Sequence, residues 1–170
     1  MLRTMRSLFS KRREVMPHSM VLLMSQPFAL TKENYAEAGA RAFGMPYDGT
    51  SAMHFVEQSP DAFFLKTGDY LVSSCPHWGA YLAKINEEDV ETGAALVPEE
   101  QRPWWRRQRA WVSFDLMNDD VPERAAMRIL AKLLLEVVDE RCCGVWLPHK
   151  GRFLPNDGTT ITELTILSSG

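Results

Sequence analysis

The sequence predicts an α+β domain, with an antiparallel or mixed sheet and two to three helices packed mainly on one face. That arrangement has room for a split-βαβ, ferredoxin-like core. Three observations carry the prediction. Residues Trp111 to Leu116 alternate, with Val112, Phe114 and Leu116 on one side and Trp111, Ser113 and Asp115 on the other, the period of a strand. Residues Pro122 to Arg141 carry one wide apolar stripe, from Ala126 and Ile129 through Leu133 and Leu134 to Val137 and Val138, the period of a helix. The elements run strand, helix, strands in a hairpin, helix, strand, helix, strand, an order that lets helices cover one apolar sheet face.

The first strand is the apolar run Ser19 to Met24, ended by Gln26-Pro27. Thr31 can cap the helix that follows, since its hydroxyl accepts from a free backbone N–H; Gly44 and Pro46 stop that helix. Met53 to Glu57 is a second strand. Ala62 to Lys66 and Tyr70 to Cys75 flank Thr67-Gly68-Asp69, a hairpin connection, and Pro76 should break the strand before it. Trp78, Tyr81 and Leu82 could open a helix, and Asn86 to Glu91 reads as an acidic surface segment. Pro98 to Arg109 reads as a helix with Glu99 and Glu100 at the favourable end of its dipole. After the Pro122–Arg141 helix, which Asp120 and Glu123 open and Gly144 terminates, Cys143 to Leu147 and Thr160 to Leu167 read as strands.

Residues 1 to 18 are expected to be a flexible basic extension and residues 19 to 170 a single domain. The net charge of −3 is divided unevenly, with +4 on residues 1 to 20 and −7 on the other 150. An acidic body is a poor match to a phosphate backbone, so nucleic acid is disfavoured as a partner. Three cysteines, two of them adjacent, do not make a disulfide framework, and a cytoplasmic location is expected. The apolar run Met20 to Met24 is far too short to span a bilayer, and no membrane association is expected.

Cys75-Pro76-His77 is the one candidate for catalysis. A thiol and an imidazole two residues apart, with Cys142, Cys143 and His149 elsewhere in the chain, would suit a nucleophile–base pair or a zinc site. The paired C-x-x-C spacing of zinc sites is absent, so no metal is expected, and a cysteine closing a strand is the competing structural reading. The chain contains no phosphate-binding loop, dinucleotide fingerprint, H-E-x-x-H or nucleophile elbow, so no cofactor is expected. Asn118-Asp119-Asp120 lacks the spaced ligands of a calcium loop.

The stretch RPWWRRQRAW, residues 102 to 111, combines aromatics and cations as a nucleic-acid platform does. On a helical wheel, however, Arg102, Arg106 and Arg109 share one face, Trp104 lies opposite and Trp105 sits at the border. The binding candidates are therefore Trp105, Trp111 and the Arg102/Arg106/Arg109 face. Trp111 would share an open sheet face with Ser113 and Asp115, a surface suited to anchoring a partner unless residues 76 to 97 or a second copy cover it.

The Trp-containing segment running into Arg109-Ala-Trp-Val-Ser-Phe-Asp-Leu116, the long amphipathic helix, Cys143-Gly-Val-Trp-Leu147 and Phe63-Phe-Leu-Lys-Thr-Gly-Asp-Tyr70 together resemble a bacterial family called domain of unknown function 4261, over roughly residues 20 to 155. Members often carry a histidine before the strand and a Pro-rich run after the hairpin; here Arg109 and Cys75-Pro-His77-Trp78 stand at those places. The resemblance implies the fold and no activity. The function expected is a non-enzymatic protein-interaction module with an unidentified protein partner or a second copy of itself. The alternatives are a small enzyme using Cys75 and His77, and an anion or nucleic-acid binder using Arg102, Arg106 and Arg109.

Overall fold

A computed structural model describes residues 18–47, 49, 51–82 and 90–170. The basic N-terminal segment and most of the acidic Asn86–Glu91 stretch lie outside the described residues. Among the described residues seven strands form one antiparallel sheet: β1 (His18–Met24), β2 (His54–Gln58), β3 (Phe63–Thr67), β4 (Tyr70–Trp78), β5 (Ala110–Leu116), β6 (Cys142–Leu147) and β7 (Arg152–Pro155). Their spatial order is β2-β3-β4-β5-β1-β6-β7. The helices are α1 (Lys32–Phe43), α2 (Glu91–Ala94), α3 (Arg102–Trp105), α4 (Glu123–Leu135) and α5 (Thr159–Ser169).

The four middle strands reproduce the expected core. β4 and β6 each run parallel to a strand two places away, β1 and β5 respectively, because each pair shares an antiparallel neighbour. The connections through α1 and α4 are thus two split-βαβ units, the ferredoxin-like arrangement. The β2–β3 hairpin widens the sheet on one side, and β7 widens it on the other. Among the described residues no helix is long and apolar enough to cross a membrane.

β1 is apolar without interruption because both of its faces are covered. Met20, Leu22 and Met24 join the main core with Phe114, Leu130 and Leu134, whereas Val21 and Leu23 join a second core with Trp105, Trp146 and Phe153. The main core lies under α1, α4 and α5. α1 opens on a capping box in which Thr31 and Asn34 exchange side-chain-to-backbone bonds, and it ends at Gly44 with φ +62°. Tyr35, buried in this core, bonds through its hydroxyl to Ser74.

Five expectations need correction. Pro98–Arg109 is not one helix: a 3-10 turn (Glu99–Gln101) leads into the single turn α3, Pro103 sits in its first turn, and Arg109 N already bonds to Met24 O at the sheet. Thr160–Leu167 is helical, within α5. Its β-branched residues favour a strand, but Asp157 Oδ1 accepts from Thr159 N, and Thr160 and Leu164, four apart, are the buried pair. The long helix ends at Leu135, where an Asp139-centred turn, with Asp139 Oδ1 accepting from Arg141 N, redirects the chain into β6. Pro76 does not break β4, which continues to Trp78, so no helix opens there. β3 begins at Phe63, opposite Ser74, so beyond that point β4 has one partner and a proline costs no ladder bond on the free side. β7, four residues long, carried too little pattern to be read. His18, assigned to the extension, is the first residue of β1.

Candidate interaction site

The sheet face opposite the long helices is finished in two ways. Over β1, β6 and β7 it is roofed by α2 and α3. Trp105 is 0% exposed there, donates from Nε1 to Val90 O at 3.1 Å, and meets Trp146 and Phe153 edge-on at 5.6 and 5.4 Å. Gly93 admits it: a Cβ at this position would lie 2.4 Å from Trp105 Cζ2. Arg106 closes the layer from outside with two bonds to Glu91, at 2.6 and 2.8 Å, and holds that carboxyl below the usual carboxylate range.

Over β4 and β5 the same face is a grid set by register. Ser19, Asp115 and Ser73 form one row across β1, β5 and β4; Val21, Ser113 and Cys75 form the next; Leu23, Trp111 and His77 form the third. Asp115 takes one hydroxyl on each oxygen, from Ser19 on Oδ1 and from Ser113 at 2.9 Å on Oδ2. The His77 ring stacks on Trp111 at 4.1 Å and 25°, and Tyr81 meets Trp111 edge-on at 5.0 Å. Burial and the Asp115 charge together raise the Tyr81 phenol pKa. Cys75, Ser113 and Asp115 remain partly exposed, and His77 is exposed.

β4 overruns β3 and delivers Trp78 to the surface, 81% exposed. The indole borders two clefts. One, about 510 Å³, is walled by Phe28, Pro60, Asp61, Pro76 and Trp111; the other, about 470 Å³, by Gly79, Val90, Gln108 and Arg109. An exposed tryptophan between two clefts, one residue beyond His77 and so directed to the other side of β4, has the shape of an interface anchor at the strand end.

The sequence candidates separate. Cys75 and His77 share a face, as residues two apart on a strand must. They do not form a thiol–imidazole pair: Cys75 Sγ contacts Ser73 Oγ at 3.7 Å, while His77 lies flat on Trp111. Cys142 and Cys143 are three strands from Cys75, about 14 Å at sheet spacing. Burial pushes their thiols up to about 12 and about 11, which leaves them poor nucleophiles. Among the described residues no three His, Cys, Asp or Glu side chains are grouped to hold a metal.

Arg102 and Arg106 stay together beside Glu91, while Arg109, beyond the end of α3, turns back onto backbone carbonyls. Arg102 donates to Val97 O, Arg106 pairs with Glu91, and Arg109 donates to the carbonyls of Arg106 and Gln108. Trp105, placed at the border of the wheel, is the buried anchor, and Trp104 is the half-buried ring, with Arg107 5.0 Å above it. Trp111 is half-buried on the face expected for it, beside Ser113 and Asp115. Trp78 escaped sequence reading because Pro76 masked the strand that presents it; its signal was a tryptophan following the hairpin strand.

No protein-family model matches the chain, and no curated protein or solved structure matches it significantly.

Proposed function

We propose that this protein is a non-enzymatic interaction module that binds a protein partner at the free end of β4, with Trp78 on the strand edge and the Trp111–His77 stack on the neighbouring open sheet face as anchors. The observation that carries the reading is Trp78, 81% exposed between two clefts at the end of a strand whose middle residues, Val72 to Ser74, are buried. The fixed strand scaffold beneath it supports the reading, since little has to be ordered on binding. Three free cysteines, two of them buried, favour a reducing compartment, and we place the protein in the cytoplasm. Membership of the family called domain of unknown function 4261 is part of the same proposal and adds no activity to it.

A photo-crosslinking amino acid placed at position 78, with position 128 on α4 as the control, tests the surface. A discrete protein adduct at 78 and none at 128 is expected. An adduct of twice the chain mass would make the partner a second copy. No adduct at 78, or the same adducts from both positions, would overturn the reading.

A further inference from the structure

From the rows of the open face, we infer that Asp115 is a cation-reading subsite of the proposed interaction surface, and that the partner is an extended segment carrying an arginine four residues from an apolar anchor. The inference rests on the interaction reading above. Asp115 presents a carboxylate on the floor of the open half, and among the described residues no cation pairs with it. Its two hydroxyl bonds, from Ser19 and Ser113, fix its orientation without cancelling its charge. A carboxylate has about four lone-pair sites, so two remain to accept a guanidinium in the bidentate geometry that arginine favours.

Other charged side chains on this face are Lys66 on β3 and Glu57 on β2, outboard of β4. Trp111 and Asp115 point to the same side of β5, four residues apart, a separation of about 13 Å. An extended peptide advances by the same rise, so one that lies along β5 and seats an apolar side chain on Trp111 delivers its fourth following or preceding residue to Asp115. Tyr81, edge-on to Trp111, lines the route between them. The charge of −7 over the 150 residues that follow residue 20 attracts a basic segment from a distance.

The probe is a blocked nonapeptide with one phenylalanine and one arginine four residues apart in an alanine–threonine background, titrated into the full chain and followed by amide and indole NMR shifts. Shifts at Trp111, Ser113 and Asp115 are expected. Replacing the arginine by citrulline, its neutral isostere, should weaken binding about tenfold, the loss of one charge-assisted pair. Asp115→Asn should weaken the arginine peptide by the same factor and leave the citrulline peptide unchanged. Moving the two side chains to a spacing of two should cost a similar factor.

Equal affinity of wild type for the arginine and citrulline peptides overturns the inference without needing any variant to fold. So does an Asp115→Asn protein that binds like wild type, or an absence of shifts at residues 113 to 115. If the adduct at position 78 still forms in any of these cases, the interaction surface stands and the cation subsite alone fails.

Discussion

Over β1, β6 and β7 the sheet presents Val21, Leu23, Trp146 and Phe153, and a fully buried Trp105 covers them. Over β5 and β4 the corresponding positions are Ser113, Asp115, Ser73 and Cys75, and among the described residues no comparable apolar cluster forms above them. The backbone is the same antiparallel ladder in both halves. What differs is the side-chain chemistry on one face of neighbouring strands. Apolar rows gain stability only when covered, at about 25 cal/mol per Å² removed from water. Small hydroxyl rows satisfy one another laterally, as Ser19 and Ser113 do with Asp115, and can be left open at little cost. One sheet face thus holds a structural half and a half free to meet something else.

The sharpest way to break this contrast is at its two tryptophans. Trp105→Ala removes a fully buried ring and should cost about 3–5 kcal/mol by denaturant unfolding. A loss under about 1 kcal/mol would mean that the roof is dispensable. Gly93→Ala puts a methyl against the Trp105 ring and should cost about 1–3 kcal/mol through the same layer, read as a drop in melting temperature.

An alkaline titration sharpens the covered side of the comparison. The Cys142 and Cys143 thiols are raised from 9.0 to about 12 and about 11, and the Tyr35 phenol is raised well above 10.0. In each case the unfolded chain loses its proton first. The stabilisation is therefore full below pH 9 and drains away as pH climbs through the folded values. Unfolding free energy should fall from about pH 9 upward, and Cys142→Ala should flatten that slope; an unchanged slope would contradict the assigned burial. The smallest effect belongs to the free end of β4: Trp78→Ala should alter stability by no more than about 0.5 kcal/mol by denaturant unfolding. A large loss of stability there would make Trp78 a structural residue.

The fold was legible where local pattern and tertiary packing agree. Val112, Phe114 and Leu116 alternate and are buried; Thr31 and Gly44 bound α1 as their chemistry requires. It was misread where tertiary contact overrides propensity. Thr160 to Leu167 looks like a strand by composition, yet packs as a helix against α4. The wheel over residues 101 to 109 assumed one continuous helix, whereas a 3-10 turn over Glu99–Gln101 leads into a single turn that ends at Trp105, and there Trp105 is the buried ring. The Trp111–Ser113–Asp115 side of the candidate site could be read from alternation. The Ser19–Asp115 bond could not, because it joins residues 96 apart and depends on strand register. Trp78 could not either, because its exposure depends on β3 starting as late as Phe63.

The uneven placement of the tryptophans also gives the molecule an intrinsic optical readout. The Trp105 and Trp146 indoles, shielded from water, emit toward the blue and are screened from a dissolved quencher such as acrylamide, whereas Trp78 emits toward the red and is quenched on contact. A shift of the blue component then tracks the integrity of the roofed half. Protection of the red component tracks occupancy of the free end of β4, in the same cuvette and without a label.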